Sequence, residues 1–237
     1  MLTKKMRIGA IVMLIATTLG LTSCLKNNVN VANQRPTFWM MLANTSTYPG
    51  SINLYENGTK KNKTALTGPI GSAFGNYGGQ YTYKVTDGTS DSVLTSSSAQ
   101  LDSLKYYSLF IYGIKPIRSA IVSTDLSNYS ATAVNFRFYN MSENAGPVDI
   151  FLGSNKVASN VNFVGDSFDP SLQLLTNLVN VTSITVKKAG SDSVLATNNS
   201  LSVGSMTTGA VYTGYLTGNA NSTGNDKLST NVIYAAY

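Results

Sequence analysis

From Phe38 onward the chain repeats itself once, and this duplication restricts its architecture more than any other feature. Phe38-Trp39-Met40-Met41-Leu42-Ala43-Asn44-Thr45-Ser46 aligns with Val134-Asn135-Phe136-Arg137-Phe138-Tyr139-Asn140-Met141-Ser142, and Gly50 to Tyr55 aligns with Gly146 to Phe151. Ser90-Asp91-Ser92-Val93-Leu94 recurs unchanged at Ser191 to Leu195, and Tyr107 to Gly113 matches Tyr212 to Gly218. The matches keep their order while the offset grows, so the second copy carries small loop insertions.

Within each copy the hydrophobic period is two. Val134, Phe136 and Phe138 alternate with Asn135, Arg137 and Tyr139, the pattern of a half-buried strand. Ile52 and Leu54, Val148 and Ile150, Tyr81, Tyr83 and Val85, and Ile184 and Val186 alternate in the same way. Asn57-Gly58 predicts a hairpin turn, because both central residues of that turn need positive φ. Short strands broken by turns, about 100 residues per copy, predict an all-β chain of two tandem immunoglobulin-like antiparallel β-sandwiches. Their expected bounds are 37–126 and 132–237.

The N-terminus reads as an address. Lys4, Lys5 and Arg7 precede an uncharged apolar run from Ile8 to Leu21, shorter than the ~20 residues a membrane-spanning helix needs. The run ends in Leu21-Thr22-Ser23-Cys24, which resembles the lipobox of bacterial lipoproteins. That resemblance implies removal of residues 1–23 by cleavage between Ser23 and Cys24, and acylation (palmitate among the chains) of Cys24. Each buried acyl CH₂ contributes about 0.8 kcal/mol, so two or more chains anchor stably. Cys24 is the single cysteine, which leaves the mature chain no thiol for a disulfide or a metal. Residues 24–36 are polar and read as the lipidated cysteine and a flexible tether. In the lipoprotein sorting scheme that this resembles, Leu25 after the cysteine, in place of an aspartate, favours the outer membrane. Lys26-Asn27-Asn28 lacks the acidic cluster of many surface lipoproteins, so the periplasmic and surface sides both stay open.

Composition narrows the function. Three basic residues leave with the signal peptide, so 14 basic and 11 acidic residues give the mature chain only +3, without a basic tract. Nucleic acid is therefore not an expected partner. Histidine is absent, removing the commonest general base and metal ligand. Glu56 and Glu143 are the only glutamates, and they fall at different places in the repeat, against a glycosidase pair. No catalytic residue, cofactor or metal is expected, and the chain reads as a non-enzyme.

The motifs also resemble a known family. A leading strand ending in Asn140-Met141-Ser142, a glycine-containing loop and Val148-Asp149-Ile150-Phe151 come first. Gly190-Ser191-Asp192-Ser193-Val194-Leu195 and the closing Tyr212 to Gly218 follow. This is similar to domain of unknown function 4397, found singly or in tandem in lipoproteins of the Bacteroidetes. The second copy carries the likeness more fully, since Asn53 stands in the first where Asp149 stands. The resemblance implies an extracytoplasmic all-β module and supplies no catalytic residues.

Individual residues divide between two readings each. Trp39 falls on the outward phase, which suits a sugar-stacking platform or interface anchor, or packing beneath the tether or against the second domain. Asp166 and Asp169 sit in a sequence that lacks the ligand series of a calcium loop and reads as a turn. Asp91 and Asp192 are expected to bond backbone amides in turns. Lys60, Lys61 and Lys63 read as solubilising edge charge, or as a basic tip for phospholipid or acidic glycan. The tyrosines suit a glycan-binding face or an ordinary sheet with hydroxyls in water. Two functions follow: a lipid-anchored envelope module with a structural or binding role toward a glycan or envelope protein, or a carbohydrate-binding or adhesion lipoprotein of a polysaccharide-acquisition system.

Overall fold

Alternating β-branched and aromatic residues form sixteen strands among residues 35–67, 71–176, 178 and 180–236, which the computed structural model describes. The expected signal peptide, with Ser23 and Cys24, and the expected tether as far as Gln34 lie outside these residues. The first sandwich pairs a sheet of β4 (Gly71–Tyr77), β1 (Thr37–Asn44), β7 (Tyr106–Tyr112) and β8 (Arg118–Ser123) with a second sheet. That second sheet runs β3 (Thr59–Lys60), β2 (Ile52–Glu56), β5 (Gly79–Asp87), β6 (Val93–Leu101). The second sandwich has the same order: β12 (Gln173–Leu175), β9 (Val134–Asn140), β15 (Val211–Thr217), β16 (Ser229–Ala236) in one sheet. Its other sheet is β11 (Asn155–Val161), β10 (Val148–Leu152), β13 (Ile184–Lys188), β14 (Val194–Asn198).

The duplication reaches the level of register. β1 runs parallel to β7 with Met40 beside Tyr107, and β9 runs parallel to β15 with the aligned Phe136 beside Tyr212. All the other strand pairs are antiparallel. Each Asn-x-Ser motif is a turn, in which Asn44 Oδ1 accepts from the Ser46 amide and Asn140 Oδ1 from the Ser142 amide. Each repeated tyrosine locks the chain before its own strand. Tyr107 Oη accepts from the Asp102 amide and Tyr212 Oη from the Thr207 amide, both at 3.0 Å. The Asn57-Gly58 turn has φ values of 48° and 82°, as its residue types require.

Each sandwich has its own core. Phe38, Met40, Leu42, Ile52, Leu54, Tyr83 and Val85 fill the first, and Val134, Phe136, Val148, Ile150, Ile184 and Val186 fill the second. The copies exchange volume between neighbouring strands. Gly214 stands where the first copy has Leu109, and a Cβ on it would meet Phe136 Cζ at 2.8 Å and Phe138 Cδ2 at 2.9 Å. Two phenylalanines on β9 are thus accommodated by the missing side chain on β15.

The half-buried reading of these strands is corrected by a third core. The outward faces of the β4-β1-β7-β8 and β12-β9-β15-β16 sheets pack together, burying Met41, Phe110 and Tyr112 against Tyr139, Met141 and Tyr215. Asn135, Arg137 and Tyr139, on the phase expected to meet water, are at most 5% exposed. Phe168 wedges between the sheets, 5.6 Å from the Phe110 ring and 4.8 Å from that of Tyr139. Such aromatic pairs contribute about 0.5–1.5 kcal/mol each beyond area burial. Over the joint, the two sheets that meet are therefore covered on both faces.

Arg137 lies inside this joint with all five N–H groups satisfied. Nε donates to Thr213 Oγ1 at 2.8 Å, one terminal nitrogen to the carbonyls of Ser123 and Pro170, and the other to the hydroxyls of Ser108 and Thr124. Acceptors from both sandwiches replace the water that burial removes. Burial presses its basicity downward, against the opposing influence of Tyr139 and Asp169. Arg137→Ala is expected to lower the unfolding free energy by about 2–4 kcal/mol in urea denaturation, because three buried hydroxyls and two partly buried carbonyls lose their donor. An unchanged midpoint would show that the joint does not depend on the guanidinium.

Two tyrosine hydroxyls of the joint are bonded to protein instead of left in water. Tyr112 donates to the Gly165 carbonyl and Tyr139 to that of Asp169. Burial pushes the phenols of Tyr112, Tyr139 and Tyr215 up to about 12. A pKa raised on folding stabilises fully below the unfolded value of 10.0 and is lost as pH rises through the folded one. Stability should therefore hold up to about pH 10 and fall between about pH 10 and 12, with ultraviolet phenolate absorbance and circular dichroism changing together. Complete phenolate formation without loss of structure would contradict this.

Candidate functional site

Trp39 keeps the outward orientation expected of it. The register of β1 against β4 places Thr37 opposite Tyr77, Trp39 opposite Gly75 and Met41 opposite Ala73 on one face. Met41 belongs to the joint, whereas Trp39 is 48% and Tyr77 47% exposed. The floor beneath the indole is bare, since a Cβ on Gly75 would sit 3.7 Å from its Cε3. On the other side Trp39 borders Tyr106, Ala235 and Ala236 at the rim of the second sandwich. The notch there holds about 10 Å³, so the indole offers a flat face and not a pocket. Such a face can stack on the apolar side of a sugar ring or on another protein's apolar surface.

The other sequence-selected residues are engaged structurally. Asp166 meets Arg118 and Tyr112, and Asp169 accepts from the Ser171 amide. Among the described residues Asp91 bonds side chains and not backbone amides: its Oδ1 accepts from those of Asn53, Tyr55 and Thr86. Asp192 instead pairs with Lys187 at 3.0 Å. The amide-binding acid is Asp87, whose carboxylate accepts from Thr89 and Ser90 and from Tyr48. Those bonds, the Thr89 hydroxyl first, hold it well below the usual carboxylate range. Lys60 and Lys63 are exposed on the hairpin, whereas Lys61 pairs with Glu56 at 3.0 Å.

Glu56 and Glu143 fall in separate clusters. Glu56 is buried, with Tyr83 Oη donating to one oxygen at 2.9 Å and Lys61 and Asn76 to the other. Burial and then this carboxylate push the Tyr83 phenol well above its ordinary value. Glu143 sits 3.6 Å from Arg118. Asp149, equivalent to Asn53 in the repeat, is held below the ordinary carboxylate range by Lys156 at 2.7 Å and by the Asn160 amide. These acids serve strand and turn geometry.

The sequence gives no direct sign of a groove along β9. β4 pairs with β1 over seven positions, from Thr37 to Ala43, but β12 pairs with β9 only over Val134, Asn135 and Phe136. Upstream of β12 comes Pro170, which has no N–H, and the Val164–Pro170 stretch turns onto the joint, where Arg137 and Tyr139 bond its carbonyls. A groove of about 580 Å³ remains, lined by Phe138, Ala158, Val161, Phe163 and Leu172 with Asn162 and Gln173 at its margin. Pro170 and the short apolar run of β12 were the available signals.

Comparison with known proteins gives a family match over part of the chain. Residues 40–151 match the family described as Domain of unknown function (DUF4397). The match spans β1 to β10, so it lies over the first copy and the start of the second, not over the copy whose motifs carry the fuller likeness. No curated protein matches the chain. A solved structure titled "Alpha-glucan recognition by family 41 carbohydrate-binding modules from streptococcal virulence factors" aligns at 9% identity. It covers 67% of this chain and 85% of its own, with a TM-score of 0.24, too remote to bear on fold or ligand.

Trp39 is the single tryptophan, so its fluorescence reports this face alone. Acrylamide should quench the folded protein strongly, and Trp39→Ala should cost about 1 kcal/mol or less. Emission protected from the quencher would place the indole under another surface.

Proposed function

We propose that the chain is a lipid-anchored, non-enzymatic protein of the cell envelope, most simply the outer membrane, that presents two tandem copies of the same β-sandwich domain as one rigid body. The observation that carries this reading is the third core: Met41, Phe110 and Tyr112 share it with Tyr139, Met141 and Tyr215. Two modules joined by a desolvated arginine and stacked aromatics act as a spacer and scaffold of fixed geometry, unlike beads on a string. The matching register of β1–β7 and β9–β15 supports a second copy of the family domain beyond the matched residues. Leu21-Thr22-Ser23-Cys24 supports the lipid anchor, and the family resemblance supports a Bacteroidetes-type lipoprotein. Metabolic labelling with a palmitate analogue tests the anchor. The full chain should take up label and fractionate with membranes, and Cys24→Ala should do neither; label retained by Cys24→Ala would overturn the assignment. Protease shaving of intact cells reads which side of the membrane the sandwiches occupy.

A second reading, a carbohydrate-binding or adhesion lipoprotein of a polysaccharide-acquisition system, is favoured by one feature. Trp39 and Tyr77 are neighbouring exposed aromatics on a face floored by Gly75. A glycan array with the intact chain and Trp39→Ala separates the readings. Saturable binding lost on substitution supports the second, and an array without binding leaves the scaffold reading alone.

A further inference from the structure

We infer that a cleft between the two sandwiches, on residues other than the Trp39 face, binds a sugar acid, that is, a hydroxylated ligand bearing a carboxylate. The cleft measures about 530 Å³, within the range of small-ligand pockets. One wall is the loop after β1 with Lys115 from the loop after β7, and the other is the end of β15 with Asp226 and Lys227. It is preformed. Thr217 Oγ1 donates to the Thr45 carbonyl and ties the walls together, and the Asn219 amide donates to the Asp226 carbonyl at 2.7 Å. Gly218 has φ of 102° and lies directly against the Lys227 carbonyl, so a side chain there would displace this wall.

The chemistry of the lining selects the ligand. Lys115 and Lys227, one from each sandwich, make no ion pair among the described residues and give the cleft two cations. A neutral glycan would leave both unanswered. Asp226 also lines the cleft; one of its oxygens accepts from the Ser222 hydroxyl, and the carboxylate repels a compact polyanion such as phosphate while its other oxygen accepts from a ligand hydroxyl. Ser46 and Tyr48, whose hydroxyl protons go to Asn44 and Asp87, add oxygens that accept, and Ser229 adds a hydroxyl that donates and accepts. Thr47 supplies the most specific sign: its Oγ1 is buried in the wall without a hydrogen-bond partner among the described residues. Buried hydroxyls are nearly always bonded, so this one marks a place for a ligand polar atom. Two ammonium groups for a carboxylate, one carboxylate and several hydroxyls for the ring together fit a uronate.

The test is calorimetric titration of the full chain in detergent with trigalacturonate, with the neutral galactose trisaccharide and inorganic phosphate as comparison ligands. Trigalacturonate should saturate one site, and both comparison ligands should bind at least about tenfold more weakly. Lys115→Ala and Lys227→Ala should each weaken binding about tenfold, and Thr47→Val several-fold, whereas Lys63→Ala on the distant hairpin should not. Both cleft lysines are exposed, so circular dichroism should report an intact fold in these variants. Absence of saturable trigalacturonate binding, equal binding of the neutral trisaccharide, equal binding of phosphate, or indifference to both lysine substitutions would each overturn the proposal. None of these results bears on the lipid anchor or on the Trp39 face, whose tests use other residues.

Discussion

A positive charge buried between two domains governs how this molecule is put together. Arg137 is buried where two sheets meet, and its five N–H groups find acceptors only because both sandwiches supply them. Separating the sandwiches would withdraw the Ser108, Ser123 and Thr124 acceptors from the guanidinium at once. A desolvated cation without its partners is among the costliest defects a fold can carry. The apolar contacts around it favour association but leave sliding open. The fork geometry of the guanidinium fixes the register, because its donors point in set directions.

Duplication alone does not create this joint; divergence does. The position of Arg137 is filled in the first copy by Met41, so one half brings the donor and the other an apolar surface to lie beside it. The fourth strand of the inner sheet diverges in the same sense. β4 completes its edge in the first copy, whereas in the second the stretch before β12 leaves the sheet, carries Phe168 into the joint and gives Arg137 the Pro170 carbonyl. Strand pairing has been exchanged for packing between domains. Buried Glu56 is matched by Leu152, so the polar cluster at the end of β2 is confined to one copy.

Alternation made the strands and both sandwich cores legible in the sequence, and the Asn57-Gly58 turn followed from residue chemistry. What alternation cannot say is whether an outward face meets solvent or another domain. Arg137 and Asn135 read as surface residues because their charge and polarity are ordinary there. The contrary signal lies in β7, whose Tyr106–Tyr112 segment is almost wholly apolar or aromatic, as in strands covered on both faces. Trp39 was placed by phase alone, since its exposure depends only on the neighbouring strands and the rim of the joint. The cleft with Thr47, Lys115 and Lys227 was beyond reach, because its walls lie more than 60 residues apart and meet only after both sandwiches dock.

The position of β1 in its sheet bears on mechanics. The strand begins directly after the N-terminal segment and lies in the interior of its sheet, held by β4 on one side and β7 on the other. A pull on the residues before Thr37 is thus directed along a central strand and loads two rows of hydrogen bonds in shear, so that they resist together. An edge strand would open one bond at a time, like a zipper. The point where the folded body would meet drag from its surroundings is therefore built to bear load.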